Sequence, residues 1–270
     1  MNHIESAIYE IHTMDSLASR NQWVNRLHPL IKFFITIMYI ALVVSFSKYD
    51  VIGIAGMVMY PLVLFQLADL SFRACIKRLR IVLPLVCCVG IFNPLLDHTT
   101  VQVGGMLMSA GILSMCTLIM KGVFSVLASY LLIATTSIED ICYALRLLHV
   151  PKLLVTQILL TYRYVTVLLG EVNRMTQAYS LRAPKQKGVH FKVWGSLTGQ
   201  LLLRSIDRAN DVYESMLLRG YQGEFAYLGQ EHHMRANDLL YLLVWLVLLI
   251  CFRCFPIFVL VGQFMGGIFS

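Results

Sequence analysis

KLLVTQILLTYRYVTVLLGEVNRMTQAYSLRAPKQKGVHFKVWGSLTGQLLLRSIDRANDVYESMLLRGY, residues 152–221, holds two long amphipathic helical patterns. Each closes on an arginine between apolar and small residues: Ser180-Leu181-Arg182-Ala183 and Leu217-Leu218-Arg219-Gly220. On a helical period, Leu202, Ile206, Ala209, Tyr213 and Met216 share one side of the second pattern. Arg204, Asp207, Arg208, Asp211 and Glu214 share the other. At helical spacing Arg204–Asp207 and Arg208–Asp211 attract, while Asp207–Asp211 repel. Gly220 supplies a C-terminal cap. The first pattern opens at Pro151, a favoured first-turn residue. It runs through Leu153, Leu154, Ile158, Tyr164 and Leu168, turns polar at Glu171, Arg174 and Gln177, and stops before Pro184. About 30 residues of helix extend about 45 Å. A shorter helix, Ser137 to Leu148, precedes it, with Ser137 and Asp140 as an acidic variant of the capping box. The stretch is too charged to cross a bilayer, yet apolar runs of membrane length flank it. It is expected to be a cytosolic helical arm that grips a soluble partner.

Working outward, the bilayer is the main solvent. Of 270 residues, 58% are hydrophobic and 14% charged, and mean hydropathy is +0.70; a soluble domain carries about a quarter charged residues. Four apolar segments precede the arm: about Leu30 to Phe46, Val51 to Leu70, Ile81 to Leu96 and Ile112 to Thr135. Each approaches the ~20 residues that span a hydrocarbon core, the third being shortest. Apolar residues from Gly104 to Ser114 place either an earlier start or an interfacial turn before the fourth. A fifth segment runs from about Leu239 to the C-terminus, as one tilted helix or as a span bent near Pro256. The first apolar run starts near Leu30, behind Glu5, Glu10, Asp15, Arg20 and Arg26, an order unlike a cleavable signal.

The expected fold is therefore all-α: a polytopic membrane protein with about five transmembrane helices and an amphipathic arm, L-shaped. Residues 1–136 hold an N-terminal amphipathic segment and four spans, 137–236 the cytosolic arm, and 237–270 a C-terminal span.

Net charge is +7, and basic residues orient the chain. Arg20, Arg26 and Lys32 stand at the first span, and Arg73, Lys77, Arg78 and Arg80 crowd the link between the second and third. The link from Asp97 to Val103 has no Lys or Arg, whereas the arm has Arg146, Lys152, Arg163, Arg174, Lys185, Lys187, Lys192, Arg204 and Arg208. A cytosolic N-terminus puts every basic stretch inside, only Lys48 and Arg253 dissenting, and the C-terminus outside. The basic excess belongs to these loops. No nucleic-acid-binding module is present, and no nucleic-acid partner is expected.

Pro61, Pro84, Asn93 and Pro94 are set to kink or open their helices. Lys121 interrupts the fourth span, either as a functional intramembrane charge or as the boundary of a surface helix. Seven scattered cysteines, including Cys251-Phe-Arg-Cys254 without a second pair, suit membrane packing rather than a redox or zinc site.

An arginine at a helix end offers a planar fork of donors to a partner's carboxylates. It also complements the helix C-terminal dipole in solvent. No Gly-Lys dipeptide occurs, so the chain has no P-loop, and there is no HExxH or Ser-centred elbow. Glu231 and His232-His233 precede the last span, but adjacent histidines diverge on regular backbone. No metal site is expected.

These residues resemble the transmembrane T component of energy-coupling-factor (ECF) transporters, an ABC importer class, and most of all its CbiQ branch. Met14-Asp15-Ser16-Leu17-Ala18-Ser19 and Leu27-His28-Pro29-Leu30-Ile31-Lys32 are similar to that branch's opening. Leu203-Arg204-Ser205, Arg208-Ala209 and Glu214-Ser215-Met216-Leu217-Leu218-Arg219-Gly220-Tyr221 with Gly223-Glu224 resemble its second coupling helix. Leu145 to Pro151 and Tyr162-Arg163-Tyr164 also fit. The resemblance implies that the arm is a coupling domain whose Ala-Arg-Gly-like ends dock two ATPase subunits. Here the ends read Leu-Arg-Ala and Leu-Arg-Gly, which makes Leu181, Arg182, Ala183, Leu218, Arg219 and Gly220 the expected ATPase-coupling residues. Arg204, Asp207, Arg208 and Glu214 are a second tier on the same helix.

The resemblance further implies a non-catalytic scaffold of a transition-metal importer, cobalt foremost, serving cobalamin biosynthesis. It would sit in a bacterial or archaeal plasma membrane. It would hold no cofactor itself: ATP and magnesium belong to CbiO-like ATPase partners. A CbiM-like membrane subunit would capture substrate, with a small CbiN-like accessory subunit beside it. The alternatives are a nickel or vitamin importer subunit, an integral-membrane enzyme with Asp97-His98 or Asp69 as its acids, or a stand-alone carrier.

Overall fold

His28 starts the first long apolar helix for a local reason. Its Nδ1 accepts the backbone N–H of Leu30 at 3.3 Å, and Pro29, which has no N–H to satisfy, takes the first helical position. The computed structural model describes residues 3–20, 22–70, 72–96, 100–103, 106–184, 186, 188–223 and 234–254. The expected bend near Pro256, Asp97-His98, Glu231 and His232-His233 lie outside the described residues.

The elements are α1 (His3–Ala18), α2 (Pro29–Ser45), α3 (Val51–Gly56), α4 (Met59–Leu67), α5 (Phe72–Leu96), β1 (Thr100–Val103), β2 (Met106–Ser109), α6 (Ala110–Thr135), α7 (Ile138–Leu147), α8 (Lys152–Arg182), α9 (Phe191–Leu218) and α10 (Ala236–Cys254). The fold is helical, as expected, with one addition: β1 and β2 pair antiparallel, Thr100 opposite Ser109, in the apolar stretch before α6. The helices form two compact units, Ala18–Ser137 with His232–Ser270, and Met1–Leu17 with Ile138–Glu231.

In the first unit the second expected span is broken. Asp50 caps α3 by accepting the Gly53 N–H at 2.9 Å, and the chain turns at Met57 before α4 resumes. Pro61 stands in the first turn of α4, where a missing N–H costs least. Tyr39 donates its hydroxyl to the Met57 carbonyl at 2.9 Å, satisfying the group that the break exposes. Tyr39 also stacks on Tyr60, ring centres 4.4 Å apart, and Trp245 meets Tyr60 edge-on at 4.8 Å. This aromatic cluster joins α2, α4 and α10. α5 and α6 pack closely: a Cβ on Gly122 would stand 3.1 Å from a methyl of Val86.

Two details differ from the sequence reading. The basic residues Arg73, Lys77, Arg78 and Arg80 stand within α5, not in a link, and α5 runs through both Pro84 and Pro94. Lys121 is a cap: its Nζ donates to the carbonyls of Val44, at 3.0 Å, and Phe46, where α2 runs out of internal partners. Arg253 reinforces the same end, donating to the Ser45 carbonyl at 3.4 Å with its guanidinium 4.5 Å over the Phe46 ring. Thus Lys121 and the dissenting Arg253 serve one helix terminus.

Among the described helices, α6, α8 and α10 are long and apolar enough to cross a membrane; α2, the α3–α4 pair and residues 82–94 are shorter apolar stretches. The 17 residues of α2 extend about 25 Å, short of a ~30 Å core. The presence of α8 in that set corrects the expectation that its charge forbids a crossing. From Lys152 to Gly170 it carries only Lys152 and Arg163; Glu171, Arg174 and Arg182 follow.

Candidate functional site

In the second unit α7 closes on an uncommon backbone. His149 takes a left-handed conformation (φ 61°), the Val150 N–H reaches back to the Leu145 carbonyl at 3.2 Å, and Pro151 begins α8 at once. Burial, with Glu139 nearby, pushes the Cys142 thiol of α7 up, which keeps it protonated and inert. α1 belongs to this unit, and Asp15 on it accepts the Tyr162 hydroxyl of α8 at 2.6 Å.

The two arginine-bearing ends finish differently. At α8 the Ala183 N–H still donates to the Tyr179 carbonyl at 3.0 Å, but Ala183 has left helical geometry and Pro184 follows. At α9 the Gly220 N–H donates to the Leu217 carbonyl at 2.9 Å and the Tyr221 N–H to the Met216 carbonyl at 3.0 Å. This is a Schellman closure, and Gly220 sits at φ +80°. Space around Gly220 is open, so backbone conformation alone calls for glycine there.

Both ends present the same chemistry. Leu181 is 83% exposed and Leu218 90% exposed. Arg182 and Arg219 are exposed beside them, and neither forms an ion pair among the described residues. Each cation lies where helix carbonyls concentrate negative charge. A leucine left in water gains nothing from folding; covered by a partner it yields about 1.5–3 kcal/mol. No described hydrogen bond or ion pair joins one end to the other.

The second tier divides. Arg204 reaches across from α9 to Glu171 of α8, and Arg174 holds the other oxygen of the same carboxylate at 2.8 Å. The Arg204 hydrogen bond, with further help from Arg174, holds the Glu171 carboxyl below its usual range. Arg204 is thus engaged inside the unit, and the expected Arg204–Asp207 and Arg208–Asp211 ion pairs do not form. Asp207, Arg208 and Glu214 are exposed. The apolar side of α9 is uncovered: Leu202 is 59%, Ile206 49% and Tyr213 54% exposed, and α9 has no buried residue. Between α8 and α9 lies an apolar groove of about 250 Å³, lined by Val172, Met175, Trp194, Leu197 and Leu201 among others.

Sequence reasoning missed Glu171 as the tie between the helices. Its only local signal was Arg174 at helical spacing; Arg204 is 33 positions away. Among the described residues no three His, Cys, Asp or Glu side chains gather as metal ligands would.

Apolar helices of spanning length, joined to an amphipathic unit with exposed Leu-Arg ends, define the class: a predominantly helical polytopic membrane protein. The CbiQ cobalt transport protein family matches residues 20–228, both arginine-bearing ends included. The chain belongs to that family. It is 28% identical over 102 residues to the nickel permease LarQ of Lactiplantibacillus plantarum, covering 37% of each chain. It is 22% identical over 167 residues to a putative fused cobalt transport protein CbiMQ of Methanocorpusculum labreanum, covering 62% of this chain and 26% of that one. An uncharacterised protein of Methanocaldococcus jannaschii is 29% identical over 116 residues, 42% of this chain and 39% of the relative. The chain thus aligns with well under two thirds of each relative's length.

Proposed function

We propose that this chain is the scaffold and transmission subunit of an ECF-type ABC importer for a transition-metal ion, cobalt foremost. The observation that carries the reading is the pair of helix ends, each offering an exposed leucine, an arginine without an ion-pair partner among the described residues, and a small follower. Apolar contact and a bidentate fork on one tip suit a groove on a soluble partner that is lined by apolar residues and edged by carboxylates. The partners are ABC ATPases, which bring ATP and magnesium. The fused relative supports a CbiM-like substrate-binding membrane subunit as a further partner, with a CbiN-like accessory subunit beside it. The chain itself is non-catalytic.

The arm lies on the cytosolic side of the cell membrane, with the N-terminus cytosolic. Two features favour this over a crossing by α8. Asp15 of helix α1 is bonded to Tyr162, near the middle of the apolar part of α8 that precedes Glu171, and its carboxylate would sit deep in hydrocarbon if α8 spanned. Beyond its apolar part, α8 is held to α9 by the ion pair of Glu171 with Arg204. Nickel is the second reading for the cargo, favoured by the likeness to a nickel permease.

The test is affinity purification from detergent-solubilised membranes with the subunits identified by mass spectrometry, beside metal uptake. The native chain should bring down an ABC ATPase. The Arg182→Glu, Arg219→Glu double variant should insert normally, lose the ATPase and abolish uptake. Normal uptake by the double variant overturns the reading. A chain that comes down alone at every detergent strength moves the reading to a membrane enzyme.

A further inference from the structure

The chain passes between its two units three times, after Leu17, after Ser137 and after Glu231. Within the unit of Ala18–Ser137 and His232–Ser270, residues near all three crossings are hydrogen-bonded to the start of α2 through two buried side chains, Lys32 and Asp238. Lys32, 4% exposed, donates its ammonium to the Thr135 carbonyl at 2.8 Å, two residues before the second crossing. The same ammonium donates to the Asn25 carbonyl at 3.3 Å, and the Asn25 side chain donates to the Ala18 carbonyl at 3.1 Å, the residue of the first crossing. Asp238, also 4% exposed, accepts the His28 N–H at 3.2 Å and the Arg235 N–H at 2.9 Å, just after the third crossing. His28 caps α2 and Lys32 lies one turn further on, so a single helix start joins all three.

A buried ammonium and a buried carboxylate are costly ways to hold helices together; apolar residues of similar size pack more cheaply in a membrane. They are suited to a different task. Directed hydrogen bonds to backbone fix the positions of three chain segments at once, which non-directional packing does not. We infer that Lys32 and Asp238 are positioning residues for transmission: they clamp the three crossings to the start of α2, so that displacement of the arm reaches the membrane helices as a single movement. This rests on the importer reading above.

The experiment uses the complete importer in vesicles. In Lys32→Met the subunits should co-purify in unchanged ratio and ATP hydrolysis should stay within about twofold, while uptake of cobalt falls about tenfold or more. Asp238→Asn, which keeps shape but replaces one acceptor by a donor, should behave alike, and Lys32→Arg should restore most of the uptake. Uptake equal to the native complex in both Lys32→Met and Asp238→Asn overturns the inference. So does parallel loss of assembly, hydrolysis and uptake, which marks a role in folding alone. If the native chain brings down no ATPase, the importer reading fails and the clamp is measured directly. Hydrogen exchange of the detergent-solubilised chain should then show slow His28 and Arg235 amides that speed up in Asp238→Asn. Unchanged exchange removes the clamp itself.

Discussion

In the unit of residues 18–137 and 232–270, Tyr39 and Val43 are fully buried and Trp245 is 5% exposed, whereas in the other unit α9 runs 28 residues without a buried side chain. The first unit closes its aromatic cluster around a helix break and spends its lysines on carbonyls. Both units expose apolar side chains, Leu85 at 69% and Leu240 at 63% in the first, Leu181 at 83% and Leu218 at 90% in the second, but α9 has no buried core beneath them. Core-facing helices of a self-sufficient fold bury their apolar stripe. A helix that does not bury it, and yet has well-made caps and a cross-helix tie, is finished as a helix and unfinished as a surface. The difference between the units is that the first packs an aromatic core within the chain, whereas α9 in the second packs none.

That comparison breaks most readily at Trp245. Trp245→Ala removes the ring against Tyr60 and should cost about 3–5 kcal/mol, read as a large drop in melting temperature in detergent. Ile206→Ala on α9 should stay within about 0.5 kcal/mol. Equal losses would mean that α9 has a covered face after all. A smaller effect of opposite sign is expected at Gly195. No atom lies within 4 Å of a Cβ placed there, so Gly195→Ala should stabilise α9 in the isolated chain by about 0.5–1 kcal/mol, measured by helix melting. If the same variant loses the ATPase or the second membrane subunit in co-purification, close approach by a partner is the reason for the glycine.

The smallest effect concerns Glu171 and is stated by sign alone. Its folded-state carboxyl titrates lower than in the unfolded chain. The tie between α8 and α9 is therefore complete above the ordinary carboxylate range and weakens as pH falls through the folded value. Hydrogen exchange across the two helices, corrected for intrinsic rates, should rise on acidification in the native chain. In Glu171→Gln that pH dependence should vanish; its persistence would assign the tie to other groups.

Much of this was legible in local pattern. Apolar runs of near-spanning length marked α2, α6 and the start of α10 within a few residues, and the helical period marked α8 and α9. Gly220 announced its cap, since few residues tolerate a positive φ. The arginine-bearing ends stood out for the same reason: helix terminators are local. Lys121 did not reveal its role, because the carbonyls it caps lie 75 and 77 positions away. Glu171 with Arg204, and Asp15 with Tyr162, were hidden likewise.

The sequence by itself thus determined α2, α6, α8 and α9 and the chemistry their ends carry, since dihedral preference, capping and periodicity act over a few residues, but not the break between α3 and α4 or the early start of α5. Only the tertiary structure decided which polar groups meet. Asp238 meets the His28 N–H across 210 positions, and Lys32 the Thr135 carbonyl across 103, because helices return to each other at crossings set by packing. A buried charge is stable only where such a crossing supplies its partners.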